Sequence, residues 1–94
     1  MSTPIEHTIE KFLDDEVKLR GGFTIKLNPK GYKGIPDRLV VLPGRMVLVE
    51  LKRPRGGVIA ALQSWWQKRF TDLGHEAVIC KDRDQVLDML NRAP

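Results

Sequence analysis

One stretch of this sequence brings together two acids and a lysine that could act on the same chemical group. Asp37 follows a proline at the start of one predicted strand, and Glu50 and Lys52 come at the end of the next. Side chains two residues apart in a strand point to the same face, so Glu50 and Lys52 project together, with Cα atoms about 6.5 Å apart. These three residues are therefore candidates for a catalytic site.

The turn between the two strands decides how close the two acids come. If residues 42–45 (LPGR) form a four-residue loop, residue 41 pairs with residue 46, and Asp37 lies opposite Glu50. A three-residue loop shifts this pairing by one and leaves the acids diagonal. In either register two like charges meet, which costs free energy unless a cation neutralises them. Carboxylate oxygens suit Mg²⁺ or Mn²⁺, and the sequence has no Cys or His cluster that would indicate zinc.

Asp37, Glu50 and Lys52 would suit the hydrolysis of a phosphate ester. Two carboxylates can hold a metal that polarises a phosphate and activates water. Lys52 can orient the water or stabilise the negative charge that develops on the phosphate oxygens. The ordinary alternatives are a solvated ion pair for Glu50 and Lys52, and a turn residue for Asp37. The combination of all three in one hairpin favours the catalytic interpretation.

The composition limits what kind of protein this is. Its 94 residues, 41% hydrophobic and 30% charged, predict one domain over residues 1–94 with a single modest core. The net charge of +4 favours a polyanionic partner, either nucleic acid or an anionic membrane. Cys80 is the only cysteine, so no disulfide forms within the chain, and we expect it to be a small buried hydrophobe. The polar N-terminus and the lack of a long apolar run predict a cytoplasmic protein that is neither secreted nor membrane-spanning.

The pattern of apolar residues predicts an α/β fold in the order helix, three strands, helix, strand, helix. The helices are predicted at residues 3–20, at 58–73 and from Asp82 or Asp84 onward, and the strands at 23–27, 37–42, 46–52 and 76–80. The third strand is apolar on both faces, which predicts a central place in a mixed sheet flanked by helices. The second helix is predicted to face inward through a stripe made of Ile59, Leu62, Trp66, Phe70 and Leu73.

The string GIPDRLVVLPGRMVLVELKRPRGG resembles the VRR-NUC (virus-type replication-repair nuclease) branch of the PD-(D/E)XK nuclease superfamily. Residues 34–38 match its G-x-P-D motif, and residues 49–52 match its E-x-K motif. Gln63 lies where the branch carries a glutamine on the following helix, and Gly74 ends that helix. The resemblance covers nearly the whole chain and implies the restriction-endonuclease-like core, αβββαβ(α).

The resemblance implies a Mg²⁺- or Mn²⁺-dependent endonuclease that hydrolyses phosphodiester bonds in DNA, without a small-molecule cofactor. Within it, Asp37, Glu50 and the backbone carbonyl of Leu51 are metal ligands. Lys52 is the catalytic lysine, and Gln63 is an auxiliary active-site residue.

The branch also carries a glutamate on its first helix, and two residues compete for that role. Glu6 and Glu10 are four residues apart and so lie on the same helix face. The spacing favours Glu6 as the catalytic acid, but Glu6 also suits a capping box with Thr3.

The basic residues around the motifs are predicted to contact DNA phosphates, and they show no pattern that would identify particular bases. They are Lys30, Lys33, Arg38, Arg53 and Arg55. Tyr32, in the same loop, can stack on an unpaired base, although a loop tyrosine with no such role is the simpler interpretation.

Small stand-alone members of the branch resemble Holliday-junction resolvases, which implies a function in DNA repair. A four-way junction has two-fold symmetry and needs two paired cuts, so we expect a homodimer, with Trp65 a candidate for contact with the second copy. Two alternatives remain at this point. One is a non-catalytic basic DNA-binding module or subunit of a repair complex, and the other is a monomeric nuclease for flaps or other branched DNA.

Overall fold

The computed structural model describes residues 5–52 and 61–92, with side chains from residue 8 onward. Within these ranges the elements follow the predicted order. They are α1 (Ile5–Leu19), β1 (Phe23–Lys26), β2 (Arg38–Leu42), β3 (Arg45–Leu51), α2 (Ala61–Asp72), β4 (Glu76–Cys80) and α3 (Arg83–Leu90). The predicted starts of the first two helices, at residues 3 and 58, lie outside the described residues.

The four strands form one mixed sheet in the order β1-β2-β3-β4. The pairs β1–β2 and β2–β3 are antiparallel, whereas β3 and β4 are parallel, with α2 between them in the chain. β3 therefore has a neighbour on each side, as its apolar sequence predicted. The hairpin has the predicted register, with Val41 opposite Met46, but Leu42 also pairs with Arg45, so the loop is two residues long and not four. Its turn contains Pro43 and Gly44, and Gly44 has the positive φ of 71° that such a turn demands.

One face of the sheet packs against α1 and α3 to form the core. The buried residues of this core are Ile9, Leu13, Val17, Val40, Leu42, Val47, Val49, Leu51, Cys80, Val86, Met89 and Leu90. Cys80 is a buried thiol, as predicted, and burial raises its pKa to about 11. Asp82 is the N-cap of α3, since its carboxylate accepts a hydrogen bond of 2.9 Å from the backbone N–H of Gln85. None of the described helices has the length and hydrophobicity needed to span a membrane.

The opposite face of the sheet is covered only in part, because α2 packs on β4. None of the described α2 residues is buried, so the predicted inward stripe is only partly correct. Trp66 and Phe70 are half-buried, Leu62 and Leu73 are exposed, and Ile59 lies outside the described residues. Among the described elements, none packs over this face of β1 and β2.

The part of the sheet that α2 leaves uncovered is apolar. Phe23 and Ile25 of β1 pair with Val41 and Leu39 of β2, and directly paired residues share a face. Met46 is 62% exposed on the same face. We call this set the open sheet face; it consists of Phe23, Ile25, Leu39, Val41, Met46 and Leu48.

An ion pair joins β3 to β4 at the end of the sheet opposite the two acids. Buried Arg45 donates to both carboxylate oxygens of Glu76, from Nε at 2.8 Å and from Nη2 at 2.7 Å. These hydrogen bonds lower the pKa of Glu76. The stability that the pair contributes is therefore present above the ordinary glutamate pKa and is lost as the pH falls through the lowered value.

Candidate active site

Asp37 lies immediately before β2, at the end of the sheet where β3 terminates. Arg38 pairs with Val49, and continuing this register by one residue would place Asp37 opposite Glu50. The carbonyl of Asp37 accepts a hydrogen bond of 2.8 Å from the backbone N–H of Leu27, which holds this position in line with β1. The Oδ1 atom of Asp37 is buried. The two acids therefore lie at the same end of the sheet, on neighbouring parts of the chain.

Glu50 and Lys52 lie on the sheet face that α2 covers. Glu50 is buried, and the Nζ atom of Lys52 lies 3.8 Å from its Oε2 atom. The backbone N–H of Lys52 donates to the carbonyl of Cys80 at 2.9 Å, so pairing with β4 extends to the lysine. Leu51, between the two, is buried in the core on the other face. The alternation of side chains along β3 thus puts Glu50 and Lys52 on one face of the sheet and Leu51 on the other.

Gln63 connects α2 to Glu50. Its Nε2 atom donates a hydrogen bond of 3.0 Å to Oε2 of Glu50, the same oxygen that faces Lys52. One turn later, Gln67 donates to the carbonyl of Ala77 at 3.1 Å and anchors the helix on β4. The sequence motif predicts a role for Gln63 but not for Gln67; the signal for Gln67 is its spacing of four residues from Gln63, which puts both on one helix face.

Carboxylate oxygens, the donors that hard divalent cations take, occur at this end of the sheet. Asp37 and Glu50 provide carboxylates from neighbouring strands, and Leu51 provides a backbone carbonyl next to Glu50. Within residues 5–52 and 61–92 no group of three or more His, Cys, Asp and Glu residues is arranged to hold a metal. A cation here would therefore use two carboxylates together with backbone and solvent oxygens, which is a common donor set for Mg²⁺.

Glu10 and Arg38 form a separate ion pair on the other face of the sheet. The Nη2 atom of Arg38 donates to Oε1 of Glu10 at 2.6 Å, and the Arg38 side chain is only 8% exposed. Lys26 approaches the same glutamate oxygen at 4.0 Å. Arg38 was predicted to bind nucleic acid, but its side chain lies on the face of the sheet away from Glu50. It directly follows Asp37, and consecutive residues along a strand point to opposite faces.

The other predicted DNA-contacting residues divide into two groups. Lys30 and Lys33 are exposed in the loop that leads to Asp37. Arg53 and Arg55 lie outside the described residues, as does the side chain of Glu6, and their assignments stay predictions.

The loop before Asp37 is fixed to α2 by a contact that sequence analysis did not identify. The indole N–H of Trp66 donates to the carbonyl of Lys33 at 3.0 Å. Gly34 has a φ of 86°, and a Cβ atom at this position would lie only 2.8 Å from Cγ of Leu62. Only glycine allows the loop to approach the helix this closely. The helix α2 thus makes two contacts with the site. Gln63 binds Glu50, and Trp66 binds the loop that leads to Asp37.

Comparison with known proteins shows the family to which the chain belongs. No protein-family model matches the chain. The chain is 39% identical over 80 residues to a protein of Acyrthosiphon pisum secondary endosymbiont phage 1 named "Putative nuclease p44", a match that covers 84% of this chain and 85% of that protein. A solved structure described as a VRR_NUC domain matches the fold with a TM-score of 0.88 at 26% sequence identity, covering 98% of this chain and 100% of that one. The chain therefore belongs to the VRR-NUC family of the PD-(D/E)XK nuclease superfamily, and it has the restriction-endonuclease-like fold of that family.

Proposed function

We propose that this protein is a Mg²⁺- or Mn²⁺-dependent endonuclease that cuts branched DNA, with residues 1–94 acting as one catalytic domain. The observation that carries the proposal is the pair of acids at one end of the sheet, Asp37 and Glu50, with Lys52 and Gln63 both directed at one oxygen of Glu50. A module that only binds DNA has no use for paired carboxylates next to an anionic ligand. Membership of a nuclease family supports the same conclusion.

In this proposal each residue of the site has a separate function. A bound divalent ion would polarise the scissile phosphate and make water a stronger nucleophile. Asp37 and Glu50 would hold the ion with the carbonyl of Leu51, and Gln63 would keep the Glu50 carboxylate in place. Lys52 would stabilise negative charge on the phosphate oxygens.

The reaction would be an in-line displacement by water at phosphorus. The water would lose a proton to solvent as its oxygen bonds to phosphorus and the bond to the 3′ oxygen breaks, and the 3′ oxygen would take up a proton in its place. The products are a 5′-phosphate and a 3′-hydroxyl, as the family resemblance implies.

The remaining polar residues would position the DNA. Lys30 and Lys33 are exposed beside the site, and together with Arg53 and Arg55 they would neutralise backbone phosphates. We assign the first-helix acid to Glu6, since Glu10 is already paired with the buried guanidinium of Arg38.

A panel of labelled DNAs tests the activity. The four-way junction, flap, splayed arm and plain duplex are each incubated with Mg²⁺, with Mn²⁺ or with chelator. We expect cleavage of branched DNA with either metal and none with chelator. Binding of branched DNA without cleavage under every condition would contradict the proposal and favour a non-catalytic DNA-binding module. Cleavage of flaps in preference to junctions would retain the nuclease and change its substrate.

We further propose that the protein acts as a homodimer on Holliday junctions in DNA repair. A four-way junction has a two-fold axis, and a two-fold dimer would provide one active site for each of the two cuts. The open sheet face supports the dimer, because exposed contiguous apolar surface in a small protein commonly marks an interaction site. That face is on the same side of the sheet as Glu50, so pairing through it would fix how the two sites are oriented.

Substitution of Met46 by lysine tests the dimer. We expect the parent protein to have twice the mass of one chain by light scattering, and Met46→Lys to have the mass of one chain. The matched control is Leu19→Lys, because Leu19 is also exposed but lies at the end of α1, away from the open sheet face. On a four-way junction, Met46→Lys should nick single strands and lose paired incision. A parent protein that is monomeric at working concentration would contradict the dimer and leave the nuclease unaffected.

A further inference from the structure

The chemistry proposed above leaves unexplained a cluster of aromatic residues beside the site. Tyr32 in the loop is 52% exposed, and Trp65 on α2 is 50% exposed. Trp66 lies in contact with both, with ring centroids 5.9 Å from Tyr32 and 5.0 Å from Trp65. Large aromatic side chains that remain half exposed gain little from folding, so their presence here needs another explanation.

Contacts within α2 and between α2 and the loop position the cluster in the folded protein. Trp66 packs against Phe70 with a centroid distance of 6.0 Å, and its indole N–H is bound to the carbonyl of Lys33. The carbonyl of Tyr32 accepts a hydrogen bond of 3.2 Å from the backbone N–H of Ile35, which fixes the turn that presents the tyrosine. A planar ring in a fixed position can bind a flat ligand without a large loss of conformational entropy.

The charges around the rings indicate what kind of ligand this is. Lys30 and Lys33 are exposed on either side of Tyr32 in sequence, and the guanidinium of Arg69 lies 5.1 Å from the centre of the Trp65 ring. Exposed aromatic rings among cations are typical of surfaces that bind unpaired nucleotides, where bases stack and phosphates are neutralised. The open sheet face differs, because its residues are apolar and it suits a protein partner.

We propose that Tyr32 stacks on an unpaired base of the DNA substrate, while Lys30 and Lys33 contact the neighbouring phosphates. This inference rests on the proposed function to the extent that DNA is the substrate. In a fully paired duplex each base is already stacked, whereas a branch point exposes bases that can stack on a protein ring. Tyr32 would therefore make the enzyme prefer branched DNA without recognising its sequence.

The connections of the cluster explain how stacking would direct cleavage. Trp66 and Gln63 lie on the same helix, and the loop that carries Tyr32 leads directly to Asp37. The distance from the stacked base to the scissile phosphate would then be fixed by the protein. Cuts should fall at a constant number of nucleotides from the branch point, whatever the sequence there.

The test compares Tyr32→Phe, Tyr32→Leu and Tyr32→Ala for DNA binding in the presence of chelator, so that cleavage plays no part. The probe is a splayed-arm DNA with 2-aminopurine as the first unpaired base, and a plain duplex of equal length is the reference. We expect the parent and Tyr32→Phe to quench the 2-aminopurine fluorescence. The other two variants should lose the quenching and bind the splayed arm roughly tenfold more weakly, with duplex binding unchanged.

Lys33→Met is the matched control, because it removes a charge from the same loop and keeps the ring. It should weaken binding to both DNAs equally and retain quenching. Equal quenching and affinity for the parent, Tyr32→Leu and Tyr32→Ala would overturn the stacking proposal, even if the parent cuts branched DNA. Loss of quenching in these variants, with a parent that cuts nothing, would support stacking and contradict the nuclease. Circular dichroism measures the unfolding temperature of Tyr32→Ala. If that temperature differs from the parent's, the conclusion is drawn from Tyr32→Leu instead.

Discussion

Glu50→Gln is expected to lower DNA cleavage by about 10³-fold or more while the protein stays folded and still binds DNA. The substitution keeps the size of the side chain and its capacity to accept a hydrogen bond from Gln63. It removes one of the two negative charges that would hold the cation, and the metal is expected to provide several kcal/mol of transition-state stabilisation. Asp37→Asn should have a similar effect, and Lys52→Ala should lower cleavage roughly 10²- to 10³-fold.

Single-turnover cleavage with saturating Mg²⁺ measures this effect, and binding in chelator shows that the substrate is still bound. Asp72→Asn is the matched control, because it makes the same change in net charge within an exposed ion pair with Lys68. The control should cut DNA at the parent rate. Cleavage by Glu50→Gln and Asp37→Asn at the parent rate would show that these acids do not form the catalytic site.

The second large effect is expected at Arg38, and it concerns stability. Arg38→Met should lower the free energy of unfolding by about 2–3 kcal/mol, because it leaves the Glu10 carboxylate without its closest partner under α1. For a domain of this size that corresponds to a decrease in Tm on the order of 10 °C. The Nε and Nη1 atoms of Arg38 are buried without a hydrogen-bond partner among the described residues, so burying this guanidinium carries a desolvation penalty that the ion pair offsets only in part. Arg38→Met combined with Glu10→Leu should therefore recover most of the lost stability.

Urea unfolding of the two single variants and the double variant gives the coupling free energy of the pair. Lys33→Met is again the useful comparison, since it removes the same charge from an exposed position. It should leave stability unchanged and reduce the salt dependence of DNA binding by about one unit of slope. The opposite pattern, a stable Arg38→Met protein that has lost DNA affinity, would place Arg38 on the DNA-binding surface.

The hairpin was predictable because short-range rules determine it. Pro43-Gly44 defined the turn, and the turn defined the register that pairs β2 with β3 as far as Arg38 and Val49. Side chains alternate between the two faces along a strand, so Arg38, next to Asp37, points to the opposite face. Its charge alone predicts a contact with DNA and takes no account of this alternation. The partner that buries it, Glu10, comes from a different element, and no local pattern indicates that contact.

The position of α2 was harder to predict. Its apolar stripe suggested burial, but the helix donates hydrogen bonds from Gln63 to Glu50 of β3 and from Gln67 to Ala77 of β4, and it leaves Leu73 exposed. Periodicity identifies which residues share a helix face, but how much of that face another element covers depends on the crossover geometry. For the same reason the open sheet face was not evident from the sequence.

The weak anchoring of α2 has a consequence for how the protein responds to heat or denaturant. A helix with no buried residue among those described can separate from the sheet at a lower free energy than global unfolding requires. Such local opening would release Glu50 from Gln63 and the Lys33 loop from Trp66 at the same time, while α1, α3 and the sheet remain assembled. Catalytic competence would then be lost under milder conditions than those that denature the molecule.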